Sequence, residues 1–100
     1  MYDVKITAMK KVEHKDLMLI YENPLEHTCS INEGDVFFCR NGEKPDDMCE
    51  SAWDSVKPFA LELAKGGGNF YDGWMKNSYS ALISCNDGFR PVSFLLETIK

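Results

Sequence analysis

The sequence predicts an α+β fold whose elements follow the order β-α-β-α-β-β. Apolar and polar residues alternate near the N terminus, and a long apolar stripe with helical spacing occupies the middle of the chain. Two strand-like segments flank an Asp-Gly turn near the C terminus. Because strands joined by a short loop usually pair antiparallel, we expect a C-terminal hairpin beside one main amphipathic helix.

Composition favours a small acidic globular protein. The chain has 100 residues, 44% of them hydrophobic, and a net charge of −5. Domains commonly run about 100–150 residues, so we expect one domain spanning residues 1–100. The acidic balance argues against nucleic-acid binding, which depends on phosphate neutralisation. No apolar segment is long enough to span a bilayer, so a membrane partner is not expected.

The N-terminal third predicts a strand and a short helix. Residues 2–9 alternate between apolar and polar side chains, which is typical of a half-buried strand. Residues 14–22 place Leu17, Ile20 and Tyr21 on one face of a short helix. The Asn-Pro pair that follows should end this helix.

The middle of the chain predicts a strand at 36–40 and then the main helix. Asp47 and Glu50 have the spacing of a capping box at the start of that helix. Pro58 predicts a kink, or a break into two shorter helices, and three consecutive glycines at 66–68 should end the helix. The apolar stripe consists of Cys49, Ala52, Trp53, Val56, Phe59, Ala60 and Leu63.

The C-terminal third predicts two strands, at 80–85 and 91–99, joined by a loop that contains Asp-Gly. Alternation along the first of these strands places Ala81, Ile83 and Cys85 on one face.

Four cysteines, Cys29, Cys39, Cys49 and Cys85, are the main chemical feature. Residues 1–25 show no export-signal pattern, so we expect free thiols in the cytoplasm. The spacing C-x9-C-x9-C-x35-C lacks the close ligand pairs of zinc and iron–sulfur motifs, and we assign no metal or cofactor. His27 and Cys29 are the one close pair, and a site assembled only in three dimensions stays open as an alternative.

The order of several residues resembles a family of small proteins, about 100 residues long, chiefly from anaerobic bacteria and archaea. The residues that carry the resemblance are Cys29, Glu33-Gly34, Cys49-x-x-Ala52-Trp53, Gly67, Gly68, Phe70, Trp74-Met75 and Cys85-x-Asp87-Gly88-x-Arg90-Pro91-Val92. The resemblance covers residues 2–99 and implies a shared architecture. It marks Cys29, Cys49 and Cys85 as a candidate thiol site, and it supplies no reaction because the family has no assigned activity.

Each candidate residue also has a purely structural explanation. The first turn of the main helix favours a thiolate at Cys49, whereas burial on the apolar stripe would make it inert. Cys85 lies at a strand end beside a loop, or else is a core cysteine. Arg90 has the geometry to bind a carboxylate or phosphate, but we expect it to pair with Asp87 in the same turn.

A loop rich in aromatic residues is a second candidate region. Phe70, Tyr71, Trp74 and Met75, considered with Arg90, could line a ligand pocket or form an interface. Alternatively the loop folds over the core through its own aromatic rings.

These observations predict a small cytoplasmic binding or interaction module with a small-molecule or protein partner, in which self-association as a homo-oligomer is an open possibility. The alternative is thiol-dependent redox, metal or small-molecule chemistry using Cys29, Cys49 and Cys85. Whether the protein is an enzyme stays undecided, because the sequence holds no complete catalytic constellation.

Overall fold

The computed structural model describes residues 1–24 and 30–99 and has the predicted α+β order. An antiparallel sheet of four strands carries one long helix on one face. The elements are β1 (Asp3–Lys11), α1 (Lys15–Tyr21), β2 (Val36–Cys39), α2 (Glu50–Ala64), β3 (Ser80–Ser84) and β4 (Val92–Ile99). β3 and β4 pair antiparallel, which confirms the C-terminal hairpin.

The strand order in the sheet is β2-β1-β4-β3, so the first and last strands of the chain are its central pair. Ile6 of β1 lies opposite Phe37 of β2 on one side and opposite Leu96 of β4 on the other. Ala81 of β3 lies opposite Leu96. These residues share one face of the sheet, and that face is buried.

The core lies between this buried face and α2. Alternating residues of β1, β2 and β4 are fully or almost fully buried, as are the residues of α2 that recur every three or four positions. The rings of Phe37 and Phe94 meet edge to face, with centroids 6.5 Å apart. The buried side chains that α2 contributes are Ala52, Trp53, Val56, Ala60, Leu63 and Ala64.

The start of α2 differs from the predicted capping box. The N-cap residue is Cys49, without a side-chain capping bond, whereas Asp47 lies in the turn before it. Met48 is 2% exposed, and its backbone N–H donates to the carbonyl of Pro45 at 3.2 Å. Burial of Met48 therefore holds a turn there, and the helix begins only at Glu50.

Of the two alternatives expected at Pro58, the break into two helices is wrong, because Pro58 lies inside a single helix on its exposed side. The apolar stripe on both sides of it packs on the same sheet, which holds the helix together despite one missing hydrogen bond. The glycine stop is confirmed. Gly66 has a φ of +92°, and the N–H groups of Gly66 and Gly67 donate to the carbonyls of Leu63 and Glu62.

α1 forms as predicted and ends before the Asn-Pro pair, but it buries none of its residues. Leu17, Ile20 and Tyr21, the residues of its predicted apolar face, are exposed. The helix has only seven residues, and a backbone hydrogen bond fixes its position. The N–H of His14 donates to the carbonyl of Phe89 at 2.9 Å. α1 is thereby attached to the β3–β4 loop and does not cover the sheet.

Candidate functional site: a cavity with two thiols

A cavity of about 100 Å³ lies between the N terminus of α2 and the β3–β4 loop. Cys49 and Cys85 both line it, so the structure brings two of the three candidate thiols to one site. Cys29 and His27 lie outside the described residues. The lining residues are Ile31, Cys49, Ser51, Ala52, Cys85, Asp87, Arg90 and Val92.

Cys49 is exposed, contrary to its predicted place on the buried stripe. Its backbone is extended, with φ −68° and ψ 153°, because it precedes the helix as the N-cap residue. Its carbonyl accepts the first helical hydrogen bond, from Trp53 at 3.0 Å. The thiol is therefore accessible from solvent and also lies at the wall of the cavity.

Cys85 is half-buried and packs against the core with Ile83, which confirms the predicted face of β3. Two hydrogen bonds join it to Val92. The Cys85 N–H donates to the Val92 carbonyl at 3.0 Å, and the Val92 N–H donates to Sγ of Cys85 at 3.3 Å. The second bond holds the sulfur in place, so Cys85 is the fixed thiol of the pair.

The predicted pairing of Arg90 with Asp87 is wrong. The carboxylate of Asp87 accepts the backbone N–H groups of Phe89 and Arg90, at 2.8 and 3.1 Å, and so holds the loop in a turn. The guanidinium of Arg90 instead binds Glu22 at the end of α1, through two bonds of 2.8 and 2.7 Å. This hydrogen bonding raises the pKa of Arg90, so the side chain stays charged.

Arg90 separates the two-thiol cavity from a larger and more open one of about 540 Å³. Glu22 and Arg90 both line the larger cavity, and their side chains are 12% and 10% exposed. Because Glu22 already neutralises Arg90, the alternative role of Arg90, as a site for an external carboxylate or phosphate, is taken by a carboxylate of the chain itself. The remaining lining residues of the larger cavity are Lys15, Met18, Leu19, Asn23 and Pro24.

Cys39 is a core residue on β2 with no exposed surface. Burial raises the pKa of its thiol, and the negative charge of Asp3 raises it further. Cys39 is thus a structural cysteine.

The aromatic loop is divided between core and surface. The ring of Phe70 packs on Phe59 at a centroid distance of 5.1 Å, whereas Tyr71 and Trp74 are exposed and meet edge to face at 5.3 Å. Met75 is half-buried. These residues line neither of the two cavities described above, so Arg90 and the aromatic loop belong to different parts of the surface.

Within residues 1–24 and 30–99, no group of three or more His, Cys, Asp or Glu side chains is arranged to hold a metal ion. The two thiols of the cavity therefore have to be considered as a pair.

Sequence reasoning missed Glu22, Ser51 and Ile31 as parts of the site. These residues join the site through contacts between segments that are distant in the sequence, and no local sequence pattern predicts such contacts. Glu22 and Arg90, for example, are 68 positions apart.

Comparison with known proteins found no matching family model, curated protein or solved structure. The resemblance to a family of small proteins therefore stays a prediction. In the described part of the chain, neither helix has the length and apolar character needed to cross a membrane.

Proposed function

We propose that this protein acts through thiol chemistry, with Cys49 and Cys85 as a dithiol pair that exchanges with a low-molecular-weight disulfide. The observation that carries this proposal is that both side chains line one cavity of about 100 Å³. A dithiol–disulfide reaction requires two sulfurs and no third ligand, which matches the residues described at this site.

The environments of the two thiols assign their roles. Cys49 is exposed and meets the incoming disulfide first, whereas Sγ of Cys85 is half-buried and held by the Val92 N–H. The Cys49 thiolate attacks one sulfur of the small disulfide, whose S–S bond breaks and releases one thiol. Cys85 then attacks Sγ of Cys49 and releases the second thiol. Two protein thiols are oxidised to one disulfide while one small disulfide is reduced to two thiols.

The remaining walls limit what enters the cavity. Ile31, Ala52 and Val92 make part of the lining apolar, and the charge of Arg90 is balanced by Glu22. A volume of about 100 Å³ accommodates a sulfur atom with its neighbouring methylene groups and excludes a whole peptide-sized ligand. The bulk of the small disulfide therefore stays outside, and recognition centres on the sulfurs.

The test equilibrates the reduced protein with mixtures of reduced and oxidised glutathione, then traps the thiols with an alkylating reagent and maps them by mass spectrometry. We expect a Cys49–Cys85 disulfide in the wild type, because Cys85 resolves the first adduct. The Cys85→Ser variant should accumulate glutathione on Cys49, whereas Cys49→Ser should acquire little because the exposed thiol is missing. Cys39→Ala is the control and should behave as wild type.

Two outcomes would overturn this proposal. One is a persistent glutathione adduct on Cys49 in the wild type, which would show that Cys85 does not resolve it. The other is a disulfide that joins Cys49 to Cys29 and leaves Cys85 reduced. Thiol titration with and without a chelator, together with metal analysis of protein purified without oxygen, tests the metal alternative. Thiol reactivity that rises on chelation would favour metal binding by Cys29, Cys49 and Cys85 over exchange.

A second candidate function is a binding or interaction module, favoured by the exposed Tyr71–Trp74 ring pair. The free thiols Cys39, Cys49 and Cys85 support a cytoplasmic location. A photo-crosslinking residue in place of Tyr71 would capture a protein partner in cells. The purified partner should then bind the Trp74→Ala variant at least tenfold more weakly than the wild type. Equal affinity for both chains would contradict this candidate.

A further inference from the structure

The face of the sheet that points away from α2 has its own pattern, and we call it the open face. Antiparallel register places the side chains of four strands in rows across it. One row, the apolar row, consists of Val36, Thr7, Leu95 and Leu82. The next, the charged row, consists of Phe38, Lys5, Glu97 and Ser80. Ser80, at the start of β3, is buried, so the exposed part of this row ends at Glu97.

The edges of the open face expose large apolar side chains. Val36 and Phe38 on β2 are each 39% exposed, and Leu82 on β3 is 44% exposed. α2 packs on the opposite face, and α1 buries none of its residues. An antiparallel sheet commonly leaves one face to solvent, but then that face is usually polar. The apolar row, with three apolar side chains and one threonine, differs from the polar pattern of a face that only contacts solvent.

The charges on the open face are arranged to suit a second copy of the same face. Lys5 on β1 and Glu97 on β4 are direct neighbours across the two central strands. Consider a two-fold axis that runs parallel to these strands, between two copies stacked face to face. The rotation places β1 of one copy over β4 of the other, so each Lys5 meets Glu97 of the second copy and the dimer contains two such contacts.

The same rotation matches the apolar row to itself. The row reverses, so Val36 lies over Leu82 of the second copy and Thr7 lies over Leu95. Stacked sheets lie about 10 Å apart with their strands within about 30° of each other, which is the distance that such side chains fill. One symmetry operation therefore satisfies the apolar row and the charged row together.

We propose that the open face is the interface of a two-fold homodimer in which two sheets pack face to face. The proposal is independent of the thiol chemistry, since Cys49 precedes α2 and Cys85 follows β3, and both line a cavity outside the open face. Four strands at about 4.8 Å spacing make a small interface, so we expect a dimer that dissociates on dilution.

The experiment measures the monomer–dimer equilibrium by sedimentation velocity over a wide range of protein concentration. Leu82→Glu should raise the dimer dissociation constant at least tenfold, because it places a charge in the apolar row. Leu19→Glu is the matched control. Leu19 is 89% exposed on α1, outside the open face, so this variant should dimerise as the wild type does.

Charge reversal tests the symmetry itself. Lys5→Glu and Glu97→Lys each place like charges opposite one another, and each should weaken the dimer at least tenfold. The double variant K5E/E97K exchanges the two charges and should restore the dimer to within about threefold of wild type. Melting curves for all variants establish that the monomers are folded.

Three results would overturn the proposal. The first is a wild-type chain that stays monomeric at every protein concentration measured. The second is a dimer that Leu82→Glu leaves unchanged. The third is a double reversal that dimerises no better than either single variant although it folds.

Discussion

Arg90 and Glu22 form a bidentate ion pair, with bonds of 2.8 and 2.7 Å, between the β3–β4 loop and the end of α1. Both side chains are about nine-tenths buried, and Arg90 forms the wall between the two cavities. The ion pair therefore attaches α1, which has no buried residues of its own, to the β3–β4 loop. It also forms one wall of the two-thiol cavity.

Glu22→Gln should loosen α1. The substitution leaves the buried guanidinium without its counter-charge, and a buried charge that loses its partner is unfavourable. We expect a lower melting temperature and faster amide hydrogen exchange at Met18, whose N–H donates to the carbonyl of His14. Glu33→Gln, at an exposed position, is the control. Unchanged exchange at Met18 would show that the pair does not hold the helix.

Thr98→Val should stabilise the protein by about 1 kcal/mol. Among the described residues, the buried hydroxyl of Thr98 has no hydrogen-bond partner, and leaving such a group unsatisfied is costly. Valine replaces it with a methyl group of nearly the same shape. Thr98→Ser keeps the hydroxyl and loses a methyl group, so it should destabilise. Urea unfolding measures both, and a Thr98→Val chain less stable than wild type would contradict the argument.

Gly66→Ala should destabilise the protein by about 1 kcal/mol or more, because an L-residue is strained at a φ of +92°. The added Cβ would also lie 3.3 Å from the ring of Tyr2. Gly88→Ala is the matched control, since no atom lies within 4 Å of its added Cβ and its φ is not in the left-handed region. Its free energy of unfolding should change by less than about 0.5 kcal/mol. Equal effects of the two substitutions would show that the end of α2 does not depend on this glycine.

We expect the free energy of unfolding to decline at alkaline pH as the thiol of Cys39 titrates. Burial raises the pKa of the Cys39 thiol above its ordinary value, so the unfolded chain loses this proton first as the pH rises. The contribution is fully present below the unfolded pKa and is lost as the pH climbs from there through the folded pKa. Urea unfolding from pH 7.5 to pH 10.5 should show a smaller decline for Cys39→Ala.

Cys39→Ala also deletes one buried heavy atom, which lowers the free energy of unfolding by about 1 kcal/mol at every pH. The quantity to compare between the two chains is therefore the slope of the free energy of unfolding against pH. Thiol labelling gives an independent check. A neutral reagent should modify Cys49 in the folded protein and reach Cys39 only on unfolding. Parallel slopes for the two chains would contradict the assignment.

The helices and strands are predictable because the spacing of apolar residues along each one follows a local pattern. Alternation in residues 2–9 predicted β1, and the stripe from Ala52 to Leu63 predicted α2 together with its buried face. Boundaries were less predictable. Asp47 has the right chemistry for an N-cap, but burial of Met48 moved the helix start to Glu50. Local preference is worth about 1 kcal/mol at a cap, and burial of a large apolar side chain is worth more.

The site was predictable in its residue types and not in its pairings. The sequence marks Cys49, Cys85 and Arg90 as candidates, yet it predicts that Arg90 pairs with Asp87, its neighbour in the turn. Asp87 is occupied by two backbone N–H groups, and the available carboxylate comes from the end of α1. A turn can satisfy a carboxylate with its own backbone, so closeness in sequence was a poor guide to ion pairing.

By itself, the sequence determined the α+β order, the main helix with its glycine stop and the C-terminal hairpin, because hydrophobic periods and turn residues act over a few positions. Only the tertiary structure decided that Cys49 and Cys85 share a cavity, that Glu22 neutralises Arg90, and that Lys5 lies beside Glu97 on the open face. These relationships join residues far apart in the chain. Their distances are set by how the sheet pairs and where α1 attaches, and no short-range pattern encodes either.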